Sequence, residues 1–258
     1  MLQPYWKQAE CVFMLTTGRT GTDTLMHLLN LSDDIDAYHE PPPELLPERK
    51  RARSAVYAEK DEFKRIFIRA RGASLTRTKA RGKIYAETSA RLTFFAPVIA
   101  ELLPNARFLF VHRHPGEVVR SGVRRKWFAG HPNDYVRIEP VPGERHYEDW
   151  QRWGAFEKNC WSWDAYNRFA LDFIEDSEAS RITAIRSDHL FDGSSVQEIF
   201  GFLSVLAPPQ DLVQSVLARK HNAQKSAHFP RYEDWTPEQR QVLEEIAGET
   251  MQRLGYAE

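Results

Sequence analysis

The chain has 258 residues, of which 42% are apolar and 28% charged, an ordinary globular balance in a chain long enough to bury a core without metal or disulfide support. Its 35 Lys and Arg residues against 36 Asp and Glu leave a formal net charge of −1, so global charge gives no case for binding nucleic acid or an anionic membrane. Two cysteines, Cys11 and Cys160, make neither a disulfide framework nor a zinc site, and no long apolar stretch opens the chain; a reduced, cytoplasmic setting without a membrane segment is expected.

The first apolar run, residues 11–16, has the length of a buried strand, and a helix over 22–31 follows it with Leu25, Leu28 and Leu29 on one face. Residues 35–39 suit a second strand, stopped by Pro41, Pro42 and Pro43. Residues 41–82 are taken as a variable loop. Within 48–83, thirteen Lys or Arg stand against four Asp or Glu, which is a solvated basic face by default and otherwise a rim that attracts an anion. A third strand is expected at 83–86 and a helix at 93–103. The strand at 107–112 (RFLFVH) has the strongest pattern in the chain, and Pro115 suits the first turn of a helix reaching 128. Residues 130–145, rich in Pro, Gly and charge, form a loop. A long helix is predicted over 147–174, with Trp153, Phe156, Cys160 and Trp163 as its core stripe. The last strand is 182–186, and helices follow near 195–206, 210–218 and 237–254. This alternation predicts an α/β fold with a central, mostly parallel sheet and helices on both faces, in one domain over 1–258.

Between the first strand and the first helix lies Gly18-Arg19-Thr20-Gly21-Thr22-Asp23-Thr24. Glycines let a backbone turn tightly and approach a ligand, and the N–H groups opening the next helix then face an anion. Thr20, Thr22 and Thr24 add hydroxyls, and Arg19 adds a permanent charge. The Walker A spacing G-x-x-x-x-G-K-[ST] is absent. A second element follows the 107–112 strand: Arg113 at its end and Ser121 eight residues on, one to two turns into the helix that Pro115 starts. Placed so, a guanidinium fork and a hydroxyl can converge on one phosphate.

These two elements, in this order, resemble the sulfotransferase superfamily. The late stretches Ile185-Arg186-Ser187-Asp188-His189-Leu190 and Arg219-Lys220-His221-Asn222, with Trp235 and Leu254-Gly255-Tyr256, are similar to the same family, though less specifically. The resemblance implies a P-loop-like fold and a donor, 3′-phosphoadenosine 5′-phosphosulfate (PAPS). It implies that Gly18, Arg19, Thr20, Gly21, Thr22 and Thr24 hold the 5′-phosphosulfate and Arg113 and Ser121 the 3′-phosphate. Lys220 and Asn222 would close over the nucleotide. Asp23 stands where a hydroxyl is common; a carboxylate there would repel the donor, so it is expected to face away, capping the helix or meeting an arginine. Arg19, where the family more often has Lys, would stabilise the leaving oxygen, and no metal is needed.

Several members of that family draw a catalytic carboxylate from the end of the second strand, which makes Glu40 the first candidate for general base and His39 the second; Glu87, after the third strand where other members place a catalytic His, is the third. The acceptor would be a hydroxyl or amine of a carbohydrate, a glycolipid or a small polar metabolite, met by the loops at 41–82 and 127–147. Two alternatives remain at this point: a P-loop-type kinase, and a nucleotide-binding regulatory module that does not turn over.

Overall fold

The strand β1 (Cys11–Leu15) is buried along its whole length because both faces of the sheet are covered. Alternation sorts its side chains: Cys11, Phe13 and Leu15 enter one apolar cluster, Val12 and Met14 the other. β4 (Ala106–His112) does the same, with Phe108 and Phe110 on the first side and Leu109 and Val111 on the second. The computed structural model describes residues 4–219 and 228–257.

With β2 (Ile35–Tyr38), β3 (Ile84–Glu87) and β5 (Ile182–Arg186), these strands form a five-stranded sheet in the order β2-β3-β1-β4-β5. Every pairing is parallel; Val12 lies opposite Ala86 on one side and Arg107 on the other. All five strands therefore end at the same edge, where ligands bind in open α/β sheets.

The helices in chain order are α1 (Thr22–Leu29), α2 (Leu46–Ala55), α3 (Lys60–Ala80), α4 (Ala96–Leu102), α5 (Pro115–Arg124), α6 (Ala155–Glu175), α7 (Ser187–Asp192), α8 (Val196–Phe202), α9 (Gln210–Leu217) and α10 (Pro237–Arg253). Leu25, Leu28 and Leu29 of α1 join Ile199 of α8 and Val213 of α9 in the smaller cluster. Residues of α3, α4, α6 and α10 build the larger one. None of the helices among the described residues is long and apolar enough to cross a membrane.

Three expectations are corrected. Residues 41–82 are not a loop: they contain α2 and α3. Phe63, Phe67, Arg71 and Leu75 recur every four residues and are all buried, so an arginine occupies one place in an apolar stripe. Arg71 is tolerated there because Glu87, across the core on β3, accepts from it twice, at 2.6 and 2.9 Å. Much of the basic excess lies at the surface in ion pairs, including Arg51 with Glu62 and Lys60 and Lys64 with Glu101. The long helix begins at Ala155, not 147. Residues 147–154 form turns that bring Trp150 against Trp161 and Phe128, and extended Gly154 opens the helix. The helix expected at 93–103 is split into a 3-10 turn, Ala90–Phe95, and α4.

Candidate active site

The chain leaves β1 at Leu15 and enters α1 through a loop with three left-handed residues, Gly18 (φ 78°), Arg19 (φ 62°) and Gly21 (φ 98°). A Cβ on Gly21 would lie 2.9 Å from Leu190 Cδ2 and 3.1 Å from Phe191, so both backbone angle and space demand glycine. The loop is tied from below. The Thr16 and Thr20 hydroxyls share a 2.5 Å hydrogen bond, and Ser187 donates to the Thr20 carbonyl at 2.6 Å. Thr20 is fully buried, so its hydroxyl braces the loop and does not face a ligand. Among the described residues the backbone N–H groups of Arg19, Thr20, Gly21 and Thr22 have no protein acceptor. Four such donors beside the positive end of α1 form an anion cradle.

The second element meets the first directly. Arg113, at the end of β4, donates to the Arg19 carbonyl at 3.0 Å and pairs with Glu117 at 3.0 Å. Its backbone carbonyl accepts from Trp163 Nε1 at 3.0 Å, and its guanidinium lies 5.3 Å from the Phe191 ring centre. Ser121 Oγ accepts from Arg19 Nε at 3.1 Å. Arg19 thus links the two phosphate elements, while its two Nη groups have no protein acceptor among the described residues. Burial, followed by the nearby Arg125 and Arg113, pushes the Arg19 pKa down to about 10, low for arginine but still cationic at neutral pH. Burial also lowers the pKa of Arg113.

At the end of β2, His39 Nδ1 lies 2.7 Å from the Thr88 carbonyl. A carbonyl only accepts, so Nδ1 carries the proton and a neutral ring keeps its lone pair on Nε2. Glu40 follows with φ 48°, and its Oε2 pairs with Arg91 at 2.6 Å. Glu87 is elsewhere: it is buried, both its oxygens are taken by Arg71, and Tyr85 donates a third bond at 2.8 Å.

Two hollows meet at Arg19 and Thr22. The larger, about 220 Å³, is bordered by His39, Glu40, Arg49, Trp127, Arg137 and Tyr166. The smaller, about 120 Å³, is bordered by Gly21, Asp23, Thr24, Arg113 and Phe191. Asp23 borders this hollow, the N-cap of α1 is Gly21 without a side-chain cap, and the Asp23 carboxylate lies 3.9 Å from His27 one turn on. Lys220 and Asn222 lie outside the described residues.

Arg49, Arg137, Tyr166 and Phe191 border these hollows and Arg91 pairs with Glu40, none of which the sequence singled out. Arg49 is hidden in a long basic run, and Tyr166 continues the stripe of α6 that has the signature of a core. Among the described residues no cluster of three or more His, Cys, Asp or Glu side chains is placed to hold a metal.

A five-stranded parallel sheet with a glycine-turned anion cradle after its central strand defines a P-loop-like α/β protein. Residues 11–173 match the sulfotransferase family model, and the chain belongs to that family. No curated protein matches it in sequence. Among solved structures it is similar to the sulfotransferase domain of the curacin biosynthetic pathway, with 16% identity and a TM-score of 0.58, covering 96% of this chain and 98% of that one. It is also similar to a sulfotransferase from Alicyclobacillus acidocaldarius, with 14% identity, a TM-score of 0.53 and coverage of 98% and 95%. A mouse sulfotransferase complexed with PAP shares 11% identity and a TM-score of 0.55, with coverage of 94% and 85%. At these identities the likeness carries the fold.

Proposed function

We propose that the protein transfers the sulfonate group of PAPS to a hydroxyl or amine of a small-molecule or glycan acceptor. The observation that carries this is the Arg19–Ser121 hydrogen bond, reinforced by Arg113 on the Arg19 carbonyl, because it brings two separate anion-binding elements into one site. The donor set fits a nucleotide with two phosphate-type groups: backbone donors and Arg19 for one, Arg113 and Ser121 for the other. A solved structural relative is described as a complex with PAP, which supports the choice of donor.

PAPS supplies an activated sulfonate whose bond to the 5′-phosphate breaks as the bond to the acceptor forms. The protein's part is positioning and charge. The cradle N–H groups hold the anion, and the Nη groups of Arg19 stabilise charge growing on the leaving oxygen. Arg19 stays protonated, so it acts as a cation and not as an acid. Glu40 takes the acceptor proton; Arg91 fixes that carboxylate through one oxygen, leaving the other to work. His39, with its lone pair on Nε2, is the second candidate. Glu40 and Arg19 are both non-glycine residues held at positive φ, a strain that concentrates at functional sites.

The test is transfer of radiolabelled sulfonate from PAPS to a panel of hydroxyl and amine acceptors, with and without EDTA. Transfer is expected to persist in EDTA, since no step here needs a metal. Loss of transfer with chelator, restored by magnesium, would favour a kinase-like site. PAP binding with no transfer to any acceptor would favour a regulatory module.

A further inference from the structure

The larger hollow is lined by His39, Glu40 and residues of the cradle, and its wall also carries two guanidinium groups, Arg49 and Arg137, beside the rings of Trp127 and Tyr166. Both arginines are held in place. Arg49 donates through one Nη to the Val136 carbonyl at 2.7 Å. Arg137 donates from Nε to Asp134 at 2.7 Å, and its guanidinium lies 4.1 Å from the Trp127 ring centre and 5.5 Å from that of Phe128.

The charge is undercompensated. Asp134 answers Arg137, but among the described residues no carboxylate pairs with Arg49, and its buried Nε has no hydrogen-bond partner. Burying a donor without an acceptor costs free energy, and Arg49, only partly exposed, has no counter-charge among the described residues to offset its desolvation. Burial lowers the Arg137 pKa, Asp134 offsets part of that, and the charge of Arg49 lowers it further. Neither is required by the cradle, which has its own cations in Arg19 and Arg113. A neutral sugar or lipid tail would leave this wall unsatisfied, whereas a carboxylate or phosphate would satisfy it in the geometry that guanidinium forks prefer.

Resting on the sulfotransferase function proposed above, we infer that the acceptor is a small hydroxy or amino compound bearing a second, anionic group, a carboxylate or phosphate, which Arg49 and Arg137 hold while the nucleophile faces Glu40 and His39. Arg49 and Arg137 thereby set acceptor specificity and orientation without touching the sulfonate.

The test is calorimetric titration of the full chain, saturated with PAP, with matched probes: hydroxy carboxylates, hydroxyalkyl phosphates, and the neutral amides or methyl esters of each. A charged probe is expected to bind at least about ten-fold more tightly than its neutral twin, the size of one charged hydrogen bond. Arg49→Gln should erase that preference while PAP affinity stays within about two-fold, because Arg49 does not border the smaller hollow beside Arg113 and makes no hydrogen bond to the cradle. Arg49→Lys, keeping charge without the fork, should retain part of it, and circular dichroism of both variants checks their folding. Carboxylate and phosphate arms separate the two anion types. Equal binding of charged and neutral twins, binding of neither, or a preference that survives Arg49→Gln overturns the inference. If PAP binds and the preference is absent, only the acceptor inference fails. If PAP does not bind, the donor assignment fails, and the same titrations on the free protein decide the acceptor inference by the same criteria.

Discussion

Arg19 carries conflicting demands. Its backbone is left-handed, its charge is desolvated, and Arg125 and Arg113 oppose that charge. An anion in the cradle would relieve the electrostatic part of this cost, which supports the proposed role of Arg19 at the donor. Sequence alone named Arg19, Arg113 and Ser121, because glycine spacing and a strand-end arginine are local signals. It misassigned the Thr20 hydroxyl, which turns inward to Thr16, and it left Arg91 out, since a partner fifty residues from Glu40 has no local signature. The base is tested at this scale. Glu40→Gln keeps shape and removes basicity, so single-turnover transfer should slow by roughly 10²–10⁴ with PAP affinity nearly unchanged. His39→Asn should cost less. Normal turnover in Glu40→Gln with a dead His39→Asn would move the role to the histidine. Glu87 is no longer the next choice, because both its oxygens are bound to Arg71 inside the core.

Among the elements, β1 with α1 and β4 with α5 were legible at the strand-to-helix junctions, where apolar period, glycine and Pro115 agree, though α5 ends at Arg124 and not 128. The pair α2 and α3 was not. Its stripe is interrupted by Arg71, and the residue that makes Arg71 acceptable, Glu87, is on another strand. A pattern of buried residues cannot be recognised locally when one of them is a cation neutralised from afar. The same arginine donates to the Pro43 carbonyl at 3.0 Å, so α3 also steadies the turn that follows Glu40. Arg71→Met should therefore leave a buried, unpaired carboxylate and destabilise the protein by about 3–5 kcal/mol, read from urea unfolding, with the double variant Arg71→Met/Glu87→Leu recovering much of the loss. A loss under about 1 kcal/mol for the single variant would show that the pair is not the anchor of α3.

At the scale of the molecule, the sheet order places β1 at the centre, with β3 and β4 beside it and every strand ending at one edge. Loops that are far apart in sequence meet there by topology: the cradle after β1, His39 and Glu40 after β2, Arg113 after β4 and Ser187 after β5. The result is a hollow on each side of Arg19, one proposed for the donor and one for the acceptor. Parallel strands with intervening helices were predictable from alternation, but the walls of the hollows come from loops and helices whose positions only the fold reveals. If the paired elements hold a 3′-phosphorylated nucleotide, its affinity must depend on that phosphate. The measurement is calorimetry of PAP against ATP on the native protein and on Arg113→Ala. PAP should bind with a Kd of about 1 μM, on the order of −8 kcal/mol, with ATP at least about ten-fold weaker, and Arg113→Ala should weaken PAP by roughly 2–5 kcal/mol. Equal binding of ATP and PAP, or PAP affinity unchanged by Arg113→Ala, would contradict the assignment of this site to a phosphosulfate donor.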